Sequence, residues 1–111
     1  MNVLSIKRHY AELIMSGVKK IENRTWRTHY QGELFIHASG TGGEILGSVY
    51  LVNCIHVEDL KEFIEQFPEY KWIETHEHAC GPWYWILEDP APFKATIPAK
   101  GKLNIWTYSP A

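Results

Sequence analysis

Between Val18 and Ile55 the chain offers one apolar, β-rich run after another with no helix-period segment between them. Val18 to Asn23 is the first, Leu34-Phe35-Ile36-His37-Ala38 the second, and Gly47-Ser48-Val49-Tyr50-Leu51-Val52-Asn53-Cys54-Ile55 the third. Strands in such a row are the reverse of the strand-helix alternation that builds a doubly wound parallel sheet. Only two segments have helical spacing. Residues 8–16 carry Ala11, Leu13, Ile14 and Met15, with Gly17 as a left-handed stop. Glu58 to Phe67 sets Leu60, Phe63, Ile64 and Phe67 on one face, begins with acidic residues and is closed by Pro68. Val3 to Ile6, Trp83 to Leu87 and Leu103 to Thr107 complete the strands, and Pro90, Pro92 and Pro98 punctuate an extended stretch. Residues 69–82 show no clear pattern. The order β-α-β-β-β-α-β-β, five to six strands with two short helices, predicts a small α+β protein around a barrel-like sheet.

A chain of 111 residues has room for one core, so residues 1–111 read as a single domain. The net charge of −2 argues against a protein built to grip duplex backbone; any nucleic-acid contact must come from a local basic patch, such as Lys7-Arg8 or Lys19 to Arg27. Cys54 and Cys80 read as two buried free thiols suited to a reduced cytoplasm. With no signal-peptide pattern and no apolar run of membrane-spanning length, the expectation is a cytoplasmic protein that does not enter a membrane.

Gly17-Val18-Lys19-Lys20-Ile21-Glu22-Asn23-Arg24-Thr25-Trp26 concentrates the candidate chemistry. Lys19, Glu22 and Arg24 can hold one another's charged forms while offering donors and an acceptor to a polar ligand, and Trp26 offers a flat surface for a base. Strand alternation puts Lys20, Glu22, Arg24 and Trp26 on one face and Lys19 on the other. Lys19 joins them only through a bulge or a bend after Gly17; otherwise Lys20 is the partner. His37 and Ser39 end a buried strand where side chains reach a cleft, though His37 reads equally as a core histidine. Trp83 and Trp85 share one parity and Tyr84 and Ile86 the other, so one pair belongs to the core; Gly81-Pro82 favours Trp83 for stacking, while Trp72 and Trp106 read as core. His76, His78 and Cys80 would share a strand face, but structural zinc wants a fourth protein ligand, so no metal and no cofactor are expected. Glu74 or Glu77 could add a second carboxylate. Lys7, Arg8, Arg27 and Lys100 are solvated charges able to touch phosphates. Gly40 to Gly43 lacks the Lys-Ser/Thr of a phosphate-binding loop.

The motif Gly17-x-Lys19-x-Ile21-Glu22-x-Arg24-x-Trp26 resembles the signature of the ASCH domain family. The likeness continues through Tyr30-x-Gly32-x-Leu34-x-Ile36-x-Ala38, Leu46-Gly47-Ser48-Val49, Trp83-Tyr84-Trp85-Ile86-Leu87, Pro98-x-Lys100-Gly101 and Ile105-Trp106, in order along nearly the whole chain. The resemblance implies a PUA-like β-barrel whose cleft serves RNA or modified nucleosides. Family members described include RNA- or DNA-binding modules, a small amidohydrolase acting on acetylcytidine and a ribonuclease. In the amidohydrolase a Lys activates a Thr three residues later; Lys19 matches the Lys, but Glu22 stands in place of the Thr. The function expected is therefore binding of RNA or a modified nucleoside, single strands before duplex, by Lys19, Lys20, Glu22, Arg24, Trp26, His37, Ser39 and Trp83. The alternatives are a hydrolase using Lys19 and Glu22 on a modified cytidine or on RNA, and a protein-interaction adaptor.

Overall fold

The protein is described by a computed structural model over residues 1–110. Strand β1, Asn2–Lys7, runs straight into helix α1, Arg8–Met15, which turns Ala11, Ile14 and Met15 inward at helical spacing. Gly17 ends the helix at φ +82°, a conformation a side chain resists, and the reversal returns the Val18 and Lys19 amides to the Leu13 carbonyl at 3.1 and 3.0 Å. Those two amides are spent on the cap. Strand β2 accordingly begins at Ile21 (Ile21–Arg24), later than the Val18 start that the sequence suggested.

Gly32–Ser39 forms β3, Glu44–His56 forms β4, Trp83–Pro98 forms β5 and Ile105–Thr107 forms β6. Helix α2, Leu60–Gln66, lies between 3-10 turns at Val57–Asp59 and Pro68–Thr75, the second filling part of the segment without sequence pattern. The sheet order is β2-β5-β4-β3-β1-β6. Only β1 and β3 pair in parallel; every other pair is antiparallel, as consecutive strands and short turns allow. The result is a curled half-barrel. Strand β5 continues through Pro90, Pro92 and Pro98, where the sequence suggested only an extended stretch. The prolines fit because β2 pairs with Trp83 to Ile86 alone, so their missing N–H groups fall where β5 has one neighbour.

Both sheet faces are covered. Leu4, Ile14, Leu34, Ile36, Leu51 and Trp85 pack on one side with α1. On the other side Ile21, Ile55, Ile73, Tyr84 and Ile86 pack beneath α2 and the Pro68–Thr75 turn. The expectation that only one parity of Trp83 to Ile86 is core is thereby corrected: Trp85 and Ile86 are both fully buried, and Tyr84 nearly so.

The curl brings the sheet's two ends together. Strand β6 pairs with Asn2 to Leu4 only, leaving the Ser5 to Lys7 edge of β1 without a ladder on that side. The Arg24 guanidinium, at the end of β2, crosses to that edge and donates to the Ser5 carbonyl at 3.0 Å. A side chain, not a strand ladder, bridges the seam.

Candidate functional site

Because the Gly17 bend swings Lys19 off strand register, its ammonium reaches the face that Glu22 and Arg24 occupy. Lys19 Nζ donates to the Ile21 carbonyl at 2.6 Å and lies 3.6 Å from Glu22 Oε1. Arg24 Nη2 meets the other oxygen, Oε2, at 2.9 Å. Each carboxylate oxygen thus faces one cation. Lys19 is 4% and Glu22 7% exposed while the Arg24 side chain is 25% exposed, so a desolvated Lys–Glu pair meets solvent through its arginine. Burial pushes the Lys19 ammonium below its usual range, and the Glu22 carboxylate opposes that shift. Lys20, the alternative partner, faces elsewhere: its ammonium lies over the Trp72 ring at 5.4 Å.

The triad opens into a hollow of about 750 Å³ along the seam, walled by Lys7, His9 and Tyr10 on one side and by Asn23, Glu77 and Cys80 on another. The triad leaves hydrogen-bonding capacity unused. A carboxylate has about four acceptor sites and a guanidinium five donors; Glu22 is met by two cations, and the part-exposed Arg24 holds both Glu22 and the Ser5 carbonyl through Nη2. The hollow can therefore take a ligand offering both donors and acceptors.

Asn23 builds one wall. Its Nδ2 donates to the His78 carbonyl at 2.6 Å, and its Oδ1 accepts from the Cys80 and Gly81 amides at 2.9 and 3.0 Å. This clamp turns Cys80 to the surface, correcting the expectation of two buried thiols; only Cys54 is buried. The same clamp brings Glu77, and not Glu74, to the hollow. His76 accepts from the Lys20 amide at 3.1 Å, and burial holds its pKa below the usual histidine value. Among the described residues no three His, Cys, Asp or Glu side chains converge as a metal site requires.

The remaining candidates fall elsewhere. Trp26 packs edge-on against Trp85 with centroids 4.8 Å apart, and its carbonyl accepts from the Trp85 indole. Trp83 stands edge-on to His56 and beneath the Arg27 guanidinium. Neither indole lines the seam hollow; the aromatic ring that does is Tyr10, 5.6 Å from the Lys19 ammonium and part exposed. Tyr10 and Asn23 were missed by sequence reasoning. Polar and aromatic residues flanking Lys7-Arg8 were the available signal for the first, and Asn23 left none. Ser39 lines the hollow and donates to the Ile6 carbonyl at 3.1 Å. His37 is 1% exposed, bonds the Ala99 carbonyl through Nε2 at 2.7 Å, and lies in the wall of a second hollow.

The profile of the ASCH domain family matches residues 4–95. Activating signal cointegrator 1 of Homo sapiens is 26% identical over an alignment of 132 residues, which takes in 93% of this chain and 21% of that protein. The Mus musculus protein of the same name matches equally. The chain spans about a fifth of the length of these curated relatives. The crystal structure of ASCH from Zymomonas mobilis has the same fold, with a TM-score of 0.60 at 20% identity over 87% of this chain and 72% of that one. A point mutant of that protein gives a TM-score of 0.57 at 18% identity, over 89% and 74% of the two chains.

Proposed function

The chain belongs to the ASCH domain family, whose PUA-like fold is associated with RNA binding, and we propose that its seam hollow binds RNA or a modified nucleoside. One observation carries this reading: a buried Lys19–Glu22 pair, joined by a part-exposed Arg24 into a triad at an open seam, with donors and acceptors to spare. A buried ion pair is poor value as a staple, because hydrophobic residues of similar volume serve stability as well or better. Its use is recognition. Glu22 accepts from an exocyclic amine, Arg24 donates to a carbonyl or phosphate, and Lys19 supplies the positive charge that the net −2 conceals. Tyr10, whose ring lines the hollow, takes in this reading the stacking role expected of Trp26 or Trp83. Single strands or extruded bases suit such a hollow, since duplex hides its bases in the stack.

Fluorescence anisotropy with labelled single-stranded RNA and a hairpin duplex at low salt tests this. The single strand should bind more tightly, and Glu22→Gln or Arg24→Ala should weaken it at least tenfold in protein that still folds. Failure of any strand or nucleoside to bind leaves the adaptor reading in its place.

A second reading is favoured by the Lys19 ammonium held 3.6 Å from the Glu22 carboxylate at the hollow. The Glu22 carboxylate could accept a proton from water as the resulting hydroxide adds to an amide carbonyl on a cytidine base, with the Lys19 ammonium facing the developing oxyanion. Breaking the C–N bond and returning the proton to the departing nitrogen would release a carboxylic acid and an amine. Incubation with acetylcytidine, followed by chromatography, tests it; unchanged substrate removes it.

A further inference from the structure

We infer that the ligand is a strand and not a free nucleoside, because a second hollow adjoins the first and is suited to the neighbouring sugar-phosphate. The inference rests on the nucleic-acid reading above and extends it to a surface outside the Lys19–Glu22 pair. The second hollow, about 780 Å³, lies between the β3–β4 turn and the segment joining β5 to β6. Ser5, Arg24 and Ser39 line both hollows, so the two adjoin at the seam on either side of the Arg24–Ser5 bridge. Each is of a size that holds a nucleotide-scale group.

Their charges differ in the sense a strand requires. The seam hollow mixes Lys7, Lys19 and Arg24 with Glu22 and Glu77, which suits a base edge carrying donors and acceptors. The second hollow has Lys100 and Lys102 along it beside the Glu22-paired Arg24, and among the described residues no carboxylate lines it. The two lysines, with no acid in the lining to oppose them, suit phosphate. Both lysines are exposed, free to follow a flexible backbone. Two glycines in the lining leave no room for a side chain: a Cβ on Gly43 would come within 2.9 Å of the Ala99 carbonyl oxygen, and one on Gly101 within 2.8 Å of the His37 ring. Beside Gly101, His37 Nδ1 is buried with no hydrogen-bond partner, an acceptor left unmatched in the floor of the hollow. At the rim Leu103 is 89% exposed, an apolar side chain standing clear of any core.

The test compares cytidine with a single-stranded RNA hexanucleotide, on wild-type protein and on Lys100→Ala/Lys102→Ala, across a salt series. The hexanucleotide should bind wild type at least tenfold more tightly than the nucleoside. The double substitution should remove most of that advantage and lower the slope of log K against log salt by about 1.4, two cations at ~0.7 each. Nucleoside affinity should move far less. Leu103→Glu, which places a carboxylate on the exposed rim, should weaken the hexanucleotide in the same selective way. A hexanucleotide no tighter than the nucleoside, or an unchanged salt slope in the double variant, overturns the inference and leaves nucleoside binding standing. If neither probe binds wild type, the underlying nucleic-acid reading falls and the inference with it.

Discussion

Two arginine–glutamate pairs in this protein have almost the same geometry and very different surroundings. Arg8 Nη2 lies 3.0 Å from Glu44 Oε2, and Arg24 Nη2 lies 2.9 Å from Glu22 Oε2. The first joins α1 to β4 at the surface, where Arg8 also donates to the Gly42 carbonyl and Glu44 accepts from Thr96. Its side chains remain about a third exposed, and water competes for every contact. In the second pair Glu22 is sequestered, a buried Lys19 stands on its other side, and Arg24 Nε is unmatched. Distance alone says nothing about what an ion pair is for. Burial makes the second pair costly to break and leaves it incomplete, and incompleteness beside an open hollow is what a ligand can repair.

The largest expected effect follows from removing the shared anion. Glu22→Ala strands two cations in a desolvated place and should cost about 3–5 kcal/mol of stability, as breaking a buried pair does. Glu44→Ala should leave the unfolding midpoint within the scatter of repeat measurements, since exposed pairs contribute little. Chemical denaturation of both variants decides between them, and equal losses would erase the distinction between the two pairs.

A smaller effect separates the reach of Arg24 from its charge. Arg24→Lys keeps a cation near Glu22, but the shorter lysine stops short of the place where Arg24 Nη2 meets both Glu22 and the Ser5 carbonyl. The expected loss is about 1–2 kcal/mol, of the size of one or two net hydrogen bonds. Amide exchange should quicken at the Ser5 to Lys7 edge of β1 more than in the β3–β4 ladder. Arg8→Lys should change neither quantity. Uniform quickening after Arg24→Lys would mean that the guanidinium does not hold the seam.

The strand runs made the sheet legible, and the Lys19, Glu22 and Arg24 cluster was legible from composition within ten residues. Which lysine joins Glu22 was not, because strict alternation favours Lys20 until the Gly17 cap has consumed the Val18 and Lys19 amides. The glycine was visible; the two bonds to Leu13 were not. The indoles misled for a related reason. A tryptophan in sequence does not reveal whether its face is covered, and Trp26 and Trp83 both pack against the α1-side core, which is assembled from strands distant in sequence. Ser5, Ser39 and Lys100 come together only through the curl of the whole sheet, and no local pattern carries that.

The smallest effects are pH slopes, and the two pairs place them at opposite ends of the scale. Lys19 has a folded pKa below its ordinary 10.5, chiefly through burial. Between those values the unfolded chain binds more protons, so this group makes stability rise with pH and stops doing so above 10.5. Tyr70 and Tyr84, whose phenols burial pushes up from 10.0, contribute the opposite sign once pH passes that value. The difference between wild type and Lys19→Met isolates the lysine. Wild type should gain melting temperature relative to the variant as pH climbs toward 10.5, and a constant difference between the two would mean that Lys19 carries no such slope. Glu44 behaves in the other sense. The Thr96 hydrogen bond, with help from Arg8, holds its carboxyl below its ordinary 4.5. Its contribution is present above 4.5 and fades as pH falls through the depressed folded value. Glu44→Gln should flatten that acid limb slightly and leave the alkaline limb untouched, because the group is exposed and far from Lys19 in titration range. A flattening as large as the alkaline slope of Lys19 would show the surface pair to be coupled to the fold as tightly as the buried one.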